Sequence, residues 1–376
     1  MTKQKSSVYL TSPVFRKMAD NEKVSIGLRD QIRQNYQKLA EISDVTESTE
    51  RFPDAETIRS GVETCRADFI GCHLSHEINK ETLLQTCVKG VATSTAGYNH
   101  IADTDGVLIT NTPSVLDKAT ADYTIAAILS NLRSITELHN YVCDGKWEKG
   151  QKWDLDNNLG NSIDNLTLGI VGMGEIGREV VRRLAPWGVN IIYHSRTRKH
   201  EFEKEYPGLQ YVESIEVLFE SSDIVSLHVL LNESTRHLVN EDMLRKMKAG
   251  SLLVNTARGE VIDFEALIRL LKAGEIHINL ALDVYDPEPL SPDSLNDLKD
   301  IMADGRGLKF TLLPHNASAD ADTRAMMTIM MLKDLLQMVQ SVSFEDISAL
   351  NLIPSLKNIS VSQICDYRIH KWWKGM

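Results

Sequence analysis

From Leu168 to Leu313, short apolar runs alternate strictly with helical stretches, and that alternation leaves few folds open to the chain. The runs are Leu168–Val171, Asn190–Tyr193, Ile224–Leu227, Leu252–Asn255, Leu280–Val284 and Phe310–Leu313. Strand, helix and strand in strict order make parallel βαβ units, whose sheet is covered by helices on both faces. Upstream, Val8–Leu10, Ala67–Leu74, Lys89–Thr93 and Val107–Thr110 read as strands and Leu28–Ile42 as a helix, until Asn111-Thr112-Pro113 interrupts regular structure. A long helix is expected from about Val115 to Tyr141 and another from Asp320 to about Val342, with an Asp/Asn-rich loop, Asp154 to Asn165, after the first. The expected class is α/β with doubly wound parallel sheets.

A chain of 376 residues exceeds what one hydrophobic core usually organises, so two domains are expected. Lys and Arg total 41 against 52 Asp and Glu, a net charge of −11, which repels phosphate backbones and argues against a nucleic-acid partner. No apolar run reaches the roughly 18 residues that cross a bilayer, and no apolar core follows Met1-Thr2-Lys3-Gln4-Lys5, so neither a membrane partner nor a secretory signal is expected. The five cysteines are widely spaced and odd in number, which suits reduced thiols in a cytoplasm. His73 and His76 lack zinc-site spacing, and no metal is expected.

The run Leu168–Val171 leads into Gly172-Met173-Gly174-Glu175-Ile176-Gly177 and then a helical stretch, Arg178 to Trp187. A Gly-x-Gly-x-x-Gly between strand and helix is the dinucleotide fingerprint in its required context. The first glycine permits the turn, the second lets backbone approach a pyrophosphate, and the third allows close packing. The helix N-terminus offers free N–H groups to the phosphates. An NAD-selective site places an acid roughly 20 residues on, at the end of the second strand. This chain instead reads His194-Ser195-Arg196-Thr197-Arg198-Lys199. A hydroxyl and two guanidinium groups suit a 2′-phosphate, so NADP(H) is expected over NAD(H).

Three further segments sit at C-terminal strand ends, where ligands bind in an open parallel sheet. They are Asn255-Thr256-Ala257-Arg258-Gly259, Asp283-Val284-Tyr285-Asp286-Pro287-Glu288-Pro289 and Pro314-His315-Asn316. In this order, with the glycine fingerprint, they resemble the NAD(P)-dependent D-2-hydroxyacid dehydrogenases over about Ala67 to Met327, and within that family the glyoxylate/hydroxypyruvate reductases most. The resemblance implies that Arg258 binds substrate, His315 is the acid/base and Glu288 is its carboxylate partner. It implies that His228, Thr256, Ala257 and Asp283 join the glycine loop in holding the cofactor. It also implies that Leu74 and Ser75 wall the pocket, and that Ala96 and Gly97 hold the substrate carboxylate in Thr95-Ala96-Gly97-Tyr98. The chain departs from the family pattern at Asn279, where small apolar residues are usual, and in a longer connection from Ser291 to Lys309.

The implied reaction delivers hydride to the carbonyl carbon of a small 2-oxo acid, giving the D-2-hydroxy acid. His315 would donate to the oxygen that gains charge, Glu288 would favour the imidazolium, and Arg258 would orient the substrate. Formate dehydrogenases of the superfamily carry Gln where this chain has Glu288, which disfavours formate. The family fold implies a substrate domain split across both chain ends, 1–112 and 318–376, with the Rossmann-like cofactor domain at 113–317. It also implies a homodimer built on the helix near Val115 to Tyr141. The alternatives are a dehydrogenase for a bulkier D-2-hydroxy acid and a nucleotide-gated corepressor on the same fold. Against the second stand the basic 2′-phosphate loop and the lack of a long polar tail.

Overall fold

The computed structural model describes residues 5–102, 104, 106–148, 152–348, 350–356, 363 and 367–374. The chain divides into two compact units, 1–116 with 319–376, and 117–318.

In the first unit, β1 (Ser6–Leu10), β2 (Ser43–Glu47), β3 (Phe69–Cys72), β4 (Gly90–Thr93) and β5 (Leu108–Thr110) form a parallel sheet in the order β2-β1-β3-β4-β5. Side chains alternate between its faces, as the two-residue period of a strand requires. Val8, Leu10, Phe69 and Leu108 pack with Ile32 and Leu39 of the helix Ile26–Ile42 and with Met331 and Leu335 of the helix Ala321–Gln340. Tyr9, Ile70, Val91 and Ile109 pack on the other face with Ile58 and Val62 of the helix Ala55–Cys65. The chain beyond Gln340, to which the sequence assigns no role, is part of this unit: Leu350, Leu352 and Ile369 are buried in the first of these cores.

In the second unit, β6 (Thr167–Val171), β7 (Asn190–His194), β8 (Gln210–Tyr211), β9 (Ile224–Leu227), β10 (Leu252–Asn255), β11 (Asn279–Leu282) and β12 (Phe310–Leu312) form a parallel sheet ordered β12-β11-β10-β9-β6-β7-β8. Strand order reverses between β6 and β9, so the C-terminal ends of those strands flank the crevice where such sheets bind ligands. Both faces are apolar: Leu168, Ile170, Ile191, Tyr193, Leu252 and Val254 line one, and Val171, Ile192, Val225, Leu227, Leu253 and Leu282 the other.

The structure departs from expectation in four places. The helix expected from Val115 to Tyr141 is two helices, Asp117–Leu132 and Ile135–Cys143, because Ser134 turns left-handed at φ 51°. The strand expected to reach Val284 ends at Leu282, where Asp283 turns to a separate task. Neither β2 nor β8 was expected. Both lie at sheet edges, and β2 (Ser-Asp-Val-Thr-Glu) has a single apolar residue to signal it. Among the described residues, no helix is long and apolar enough to cross a membrane. Asn279, the atypical residue, sits at the N-terminal end of β11. Its amide donates to Gly250 O (2.9 Å) and its Oδ1 accepts from Lys309 N (2.9 Å), so it ties neighbouring strands together at the end remote from the strand-end segments.

Candidate active site

The glycine loop follows β6. Gly172 has φ +99°, and a Cβ there would stand 2.4 Å from the carbonyl oxygen of His228. That residue is itself held by its N–H to Val171 O (2.8 Å). Gly177, one turn into the helix Glu175–Leu184, leaves no room either: its Cβ would meet Gly172 O at 2.3 Å. Gly174 differs, with nothing within 4 Å of an added Cβ. A side chain there would reach into open space at the mouth of the helix, the space a pyrophosphate would take. The first bond of that helix is Arg178 N to Gly174 O (3.0 Å), so the amides before it are left at the helix end for an anion. Met173 is buried beneath the loop, and Glu175 pairs with Arg178 (3.1 Å). The loop fits a dinucleotide.

After β7 the structure separates the residues that the sequence groups together. Ser195 donates to Thr197 O (2.8 Å), and the Arg198 guanidinium is taken by Glu203 through Nε (2.9 Å) and Nη2 (2.8 Å). Tyr193 OH donates to the same carboxylate (2.6 Å), and Arg198 also lies 5.4 Å over the Tyr211 ring. Arg196 is exposed, with no ion pair among the described residues.

At the end of β10, the fully buried Asn255 shapes the turn. Its Oδ1 accepts from Ala257 N (3.0 Å) and its Nδ2 donates to Arg258 O (2.8 Å). Thr256 shares a hydrogen bond with Thr124 (2.9 Å). His228, at the end of β9, meets Ser226 through Nε2 (2.9 Å), and burial pushes it down to about 4, so it stays neutral. Gly259 is pressed so closely against the Tyr285 carbonyl that a Cβ would sit 1.6 Å from it. The turn carrying Arg258 is thereby brought against the segment carrying Glu288. Burial pushes the Arg258 guanidinium below its ordinary value, while the Glu288 and Glu260 carboxylates favour its charge. Arg258 Nη1 donates to Ala257 O (2.7 Å).

His315 follows β12, and its Nδ1 is hydrogen-bonded to Glu288 Oε1. Asp283 holds it there. The His315 N–H donates to Asp283 O, and the Asp283 carboxylate accepts from Asn316 N and Ala317 N, all at 2.8 Å. Burial raises the Asp283 carboxyl, against the pull of those two amides and of His315. Tyr285 completes the brace: its hydroxyl donates to Leu313 O (2.9 Å) and accepts from Leu313 N (2.9 Å), tying β11 to the residues just before His315. Sequence reasoning assigned no role to Asn255, Gly259 or Tyr285. Gly259 beside Arg258 carried a signal, whereas nothing marks the Tyr285 hydroxyl.

The other expected residues belong to the first unit. Leu74 and Ser75 follow β3, Leu74 half-buried and Ser75 exposed. Ala96 and Gly97 follow β4. Asn111 Nδ2 donates to Ala96 O (2.6 Å), Thr95 Oγ1 to Gly97 O (2.6 Å) and Thr112 N to Thr95 O (2.9 Å). Because a trans peptide is planar, a carbonyl engaged inward turns the following N–H the opposite way. The amides of Ala96 and Gly97 therefore face away from their supports, free to meet an anion. Both ring nitrogens of His76 are occupied, by Thr11 Oγ1 (2.6 Å) and Arg51 O (3.0 Å).

The family model described as D-isomer specific 2-hydroxyacid dehydrogenase, NAD binding domain, matches residues 125–317. The glyoxylate reductase of Korarchaeum cryptofilum is 41% identical over 251 residues, 65% of this chain and 71% of that protein. That of Aeropyrum pernix is 38% identical over 295 residues, 77% of this chain and 84% of that protein. The crystal structure of a glyoxylate reductase from Paecilomyes thermophila matches with a TM-score of 0.71 at 29% identity, covering 94% of this chain and 100% of that one.

Proposed function

The chain belongs to the D-isomer specific 2-hydroxyacid dehydrogenase family, and we propose on that footing that it reduces small 2-oxo acids of the glyoxylate and hydroxypyruvate type with NADPH. It is an NAD(P)-dependent dehydrogenase acting on 2-oxo acids. The observation that carries the residue assignment is the His315–Glu288 pair beside Arg258, at adjoining strand ends of one sheet.

When bound, the reduced nicotinamide supplies the hydride that the carbonyl carbon accepts. Negative charge then develops on the carbonyl oxygen, and His315 gives it a proton. Glu288 occupies Nδ1, which leaves Nε2 as the nitrogen that faces substrate. Glu288 also stabilises the imidazolium before transfer. Arg258 binds the substrate carboxylate and polarises the carbonyl through donors in fixed geometry. Ala96 and Gly97 offer backbone amides to the same carboxylate, and Leu74 and Ser75 bound the pocket. In this reading residues 117–318 hold the cofactor, through Gly172 to Gly177, His228, Thr256, Ala257 and Asp283, and the first unit presents the substrate loops.

The preference for NADPH rests on the end of β7, which has no acid to accept from a ribose 2′-hydroxyl. Arg196 is the residue available to a 2′-phosphate. Ser195 and Thr197 lie beside it, and Arg198, tied to Glu203, adds positive field. The protein acts as a homodimer. The helix Ile135–Cys143 has no buried residue, and Ile135, Val142, Trp147, Trp153, Leu155 and Leu159 are all exposed, a concentration of apolar surface that a second copy would cover. Cys65, Cys72, Cys87 and Cys143 are free, which suits a cytoplasmic enzyme; Cys365 lies outside the described residues.

The test follows absorbance at 340 nm with NADPH or NADH against glyoxylate, hydroxypyruvate, pyruvate and phenylpyruvate. NADPH oxidation with the two small acids supports the reading. Turnover confined to phenylpyruvate would move the substrate class, and tight cofactor binding without turnover would overturn the enzymatic reading.

A further inference from the structure

The sheet order leaves β5 at an edge of the first unit, and an edge strand exposes unpaired backbone groups. Here the edge is covered by the chain's own C-terminal segment. Leu352 pairs antiparallel with Thr110, and Ile353 N donates to Ile109 O (3.1 Å). Leu352 and Ile353 are buried in opposite cores of the unit. Among the described residues, it continues the sheet antiparallel, against the parallel pairing of β1 to β5.

Its register is set by a buried charge. Asp334 lies within the helix Ala321–Gln340, 4% exposed, on a stretch that is otherwise apolar toward the sheet. A carboxylate in such a place is costly unless hydrogen bonds compensate it. Its Oδ1 accepts from Asn351 Nδ2 (3.0 Å), with Asn351 N at 3.5 Å. From Asn351 the chain of bonds continues: the Asn351 carbonyl accepts from Asn111 N (3.0 Å), and Asn111 Nδ2 donates to Ala96 O (2.6 Å). An unbroken path of four residues thus runs from a helix, through the C-terminal segment and the end of β5, to the loop assigned above to the substrate carboxylate.

We propose that Asn351, anchored by Asp334, is a positioning residue of the substrate site, through which the C-terminal segment sets the Ala96–Gly97 loop for a 2-oxo carboxylate. The inference rests on the reading of that loop given under the proposed function. Ala96 O must stay on Asn111 for the Gly97 N–H to face an anion, since the two groups of one peptide point opposite ways. The Asn351 carbonyl accepts from the Asn111 N–H, and so helps to hold the backbone from which Asn111 reaches Ala96 O. The segment touches no reacting atom, so its contribution lies in binding the carboxylate, not in the hydride or proton step.

Three variants of the full-length protein test this: Asn351→Ala, Asn111→Ala, and the exchange Asp334→Asn with Asn351→Asp, which reverses donor and acceptor while keeping the pair. KM for glyoxylate is expected to rise about fivefold in Asn351→Ala and about tenfold in Asn111→Ala, with kcat and the Kd for NADPH within about twofold of the parent. The exchange is expected to bring KM back to near the parent value. Unchanged KM in both single variants, or parallel loss of kcat, KM and NADPH affinity, would overturn the proposal. If Asn351→Ala does not fold, the exchange decides alone: a folded exchange variant with a raised KM overturns it. An inactive parent enzyme would instead sink the proposed function, which keeps the two failures apart.

Discussion

His315 Nδ1 is hydrogen-bonded to Glu288 Oε1, although twenty-six residues and a helix, Pro292–Ala303, separate them in the chain. Both ends of the pair are set by backbone. Asp283 receives three N–H groups from residues 315–317, and Gly259 lets the Arg258 turn press against the strand end that leads to Glu288. A histidine so oriented donates from one defined nitrogen. His315→Ala should lower kcat by about a thousandfold, within the usual range for a lost general acid, and leave the Kd for NADPH unchanged. Glu288→Gln should lose less, on the order of tenfold to a hundredfold, because the amide still orients the ring without stabilising its charge. Steady-state kinetics with parallel cofactor titrations check both; an unchanged kcat in His315→Ala would remove it from the mechanism.

Arg196 and Arg198 should separate. Arg196→Ala is expected to raise KM for NADPH about tenfold or more with little change for NADH, the signature of a lost charged partner for phosphate. Arg198→Ala should do less to NADPH selectivity, because its guanidinium already serves Glu203. Equal effects of Arg196→Ala on both cofactors would reject the 2′-phosphate assignment.

The glycines of the fingerprint predict opposite phenotypes. Gly177→Ala forces a Cβ onto Gly172 O and should cost about 1–3 kcal/mol of stability, read as a lower melting temperature. Gly174→Ala meets no protein atom, so its melting temperature should hold while cofactor affinity falls. A cofactor affinity left intact in Gly174→Ala would mean that the pyrophosphate lies elsewhere.

Burial pushes Asp334 up to about 6, while an unfolded aspartate titrates at about 3.9. Between those values the folded protein holds a proton that the unfolded chain has released, so this residue makes stability fall as pH rises from about 4 to about 6. Asp334→Asn removes that slope, and its stability relative to the parent should climb across the window and level off above it. His228, pushed down to about 4, acts with the other sign: the unfolded chain takes up its proton first, and stability is lost as pH falls from about 6.5 to about 4. Urea midpoints at several pH values between 4 and 7, for parent and Asp334→Asn, read the difference; a pH-independent gap would contradict the Asp334 assignment.

The exposed apolar stretch after Leu132 predicts the assembly state. Ile135→Glu combined with Val142→Glu places charge on a helix with no buried residue, so the fold should survive while a dimer dissociates. Sedimentation should give about twice the chain mass for the parent and one chain mass for the variant; a monomeric parent would reject the dimer.

The glycine turn could be read from the sequence because its signal is local. An apolar run, three glycines at fixed spacing and a helical stretch lie within twenty residues; Gly172 and Gly177 answer close contacts to His228 O and to Gly172 O, while Gly174 faces open space. Arg258, Glu288 and His315 are singled out because the segments after three plainly apolar strands, taken in order, resemble those of a known family. The braces could not be read in this way. Tyr285 reads as one more aromatic in a strand-end segment, and its hydroxyl gains meaning only when β12 lies alongside β11. Strands β2 and β8 escaped because edge strands need little apolar content, and the break at Ser134 because nothing in the local pattern forces a left-handed residue there.

By itself, then, the sequence determined the alternating α/β order and the glycine turn, which follow from hydrophobic period and backbone sterics over a few residues; the roles proposed for Arg258, Glu288 and His315 come from the family resemblance of the segments that carry them. Tertiary structure decided that Arg198 pairs with Glu203 while Arg196 stays exposed, that Glu288 takes Nδ1 of His315, and that Asn351 O accepts from Asn111 N, whose side chain reaches Ala96 O more than two hundred and fifty residues before Asn351. Hydrogen bonds between residues far apart in the chain depend on which strands come to lie side by side, and that order is settled only when each sheet's apolar faces are buried under the helices of its own unit.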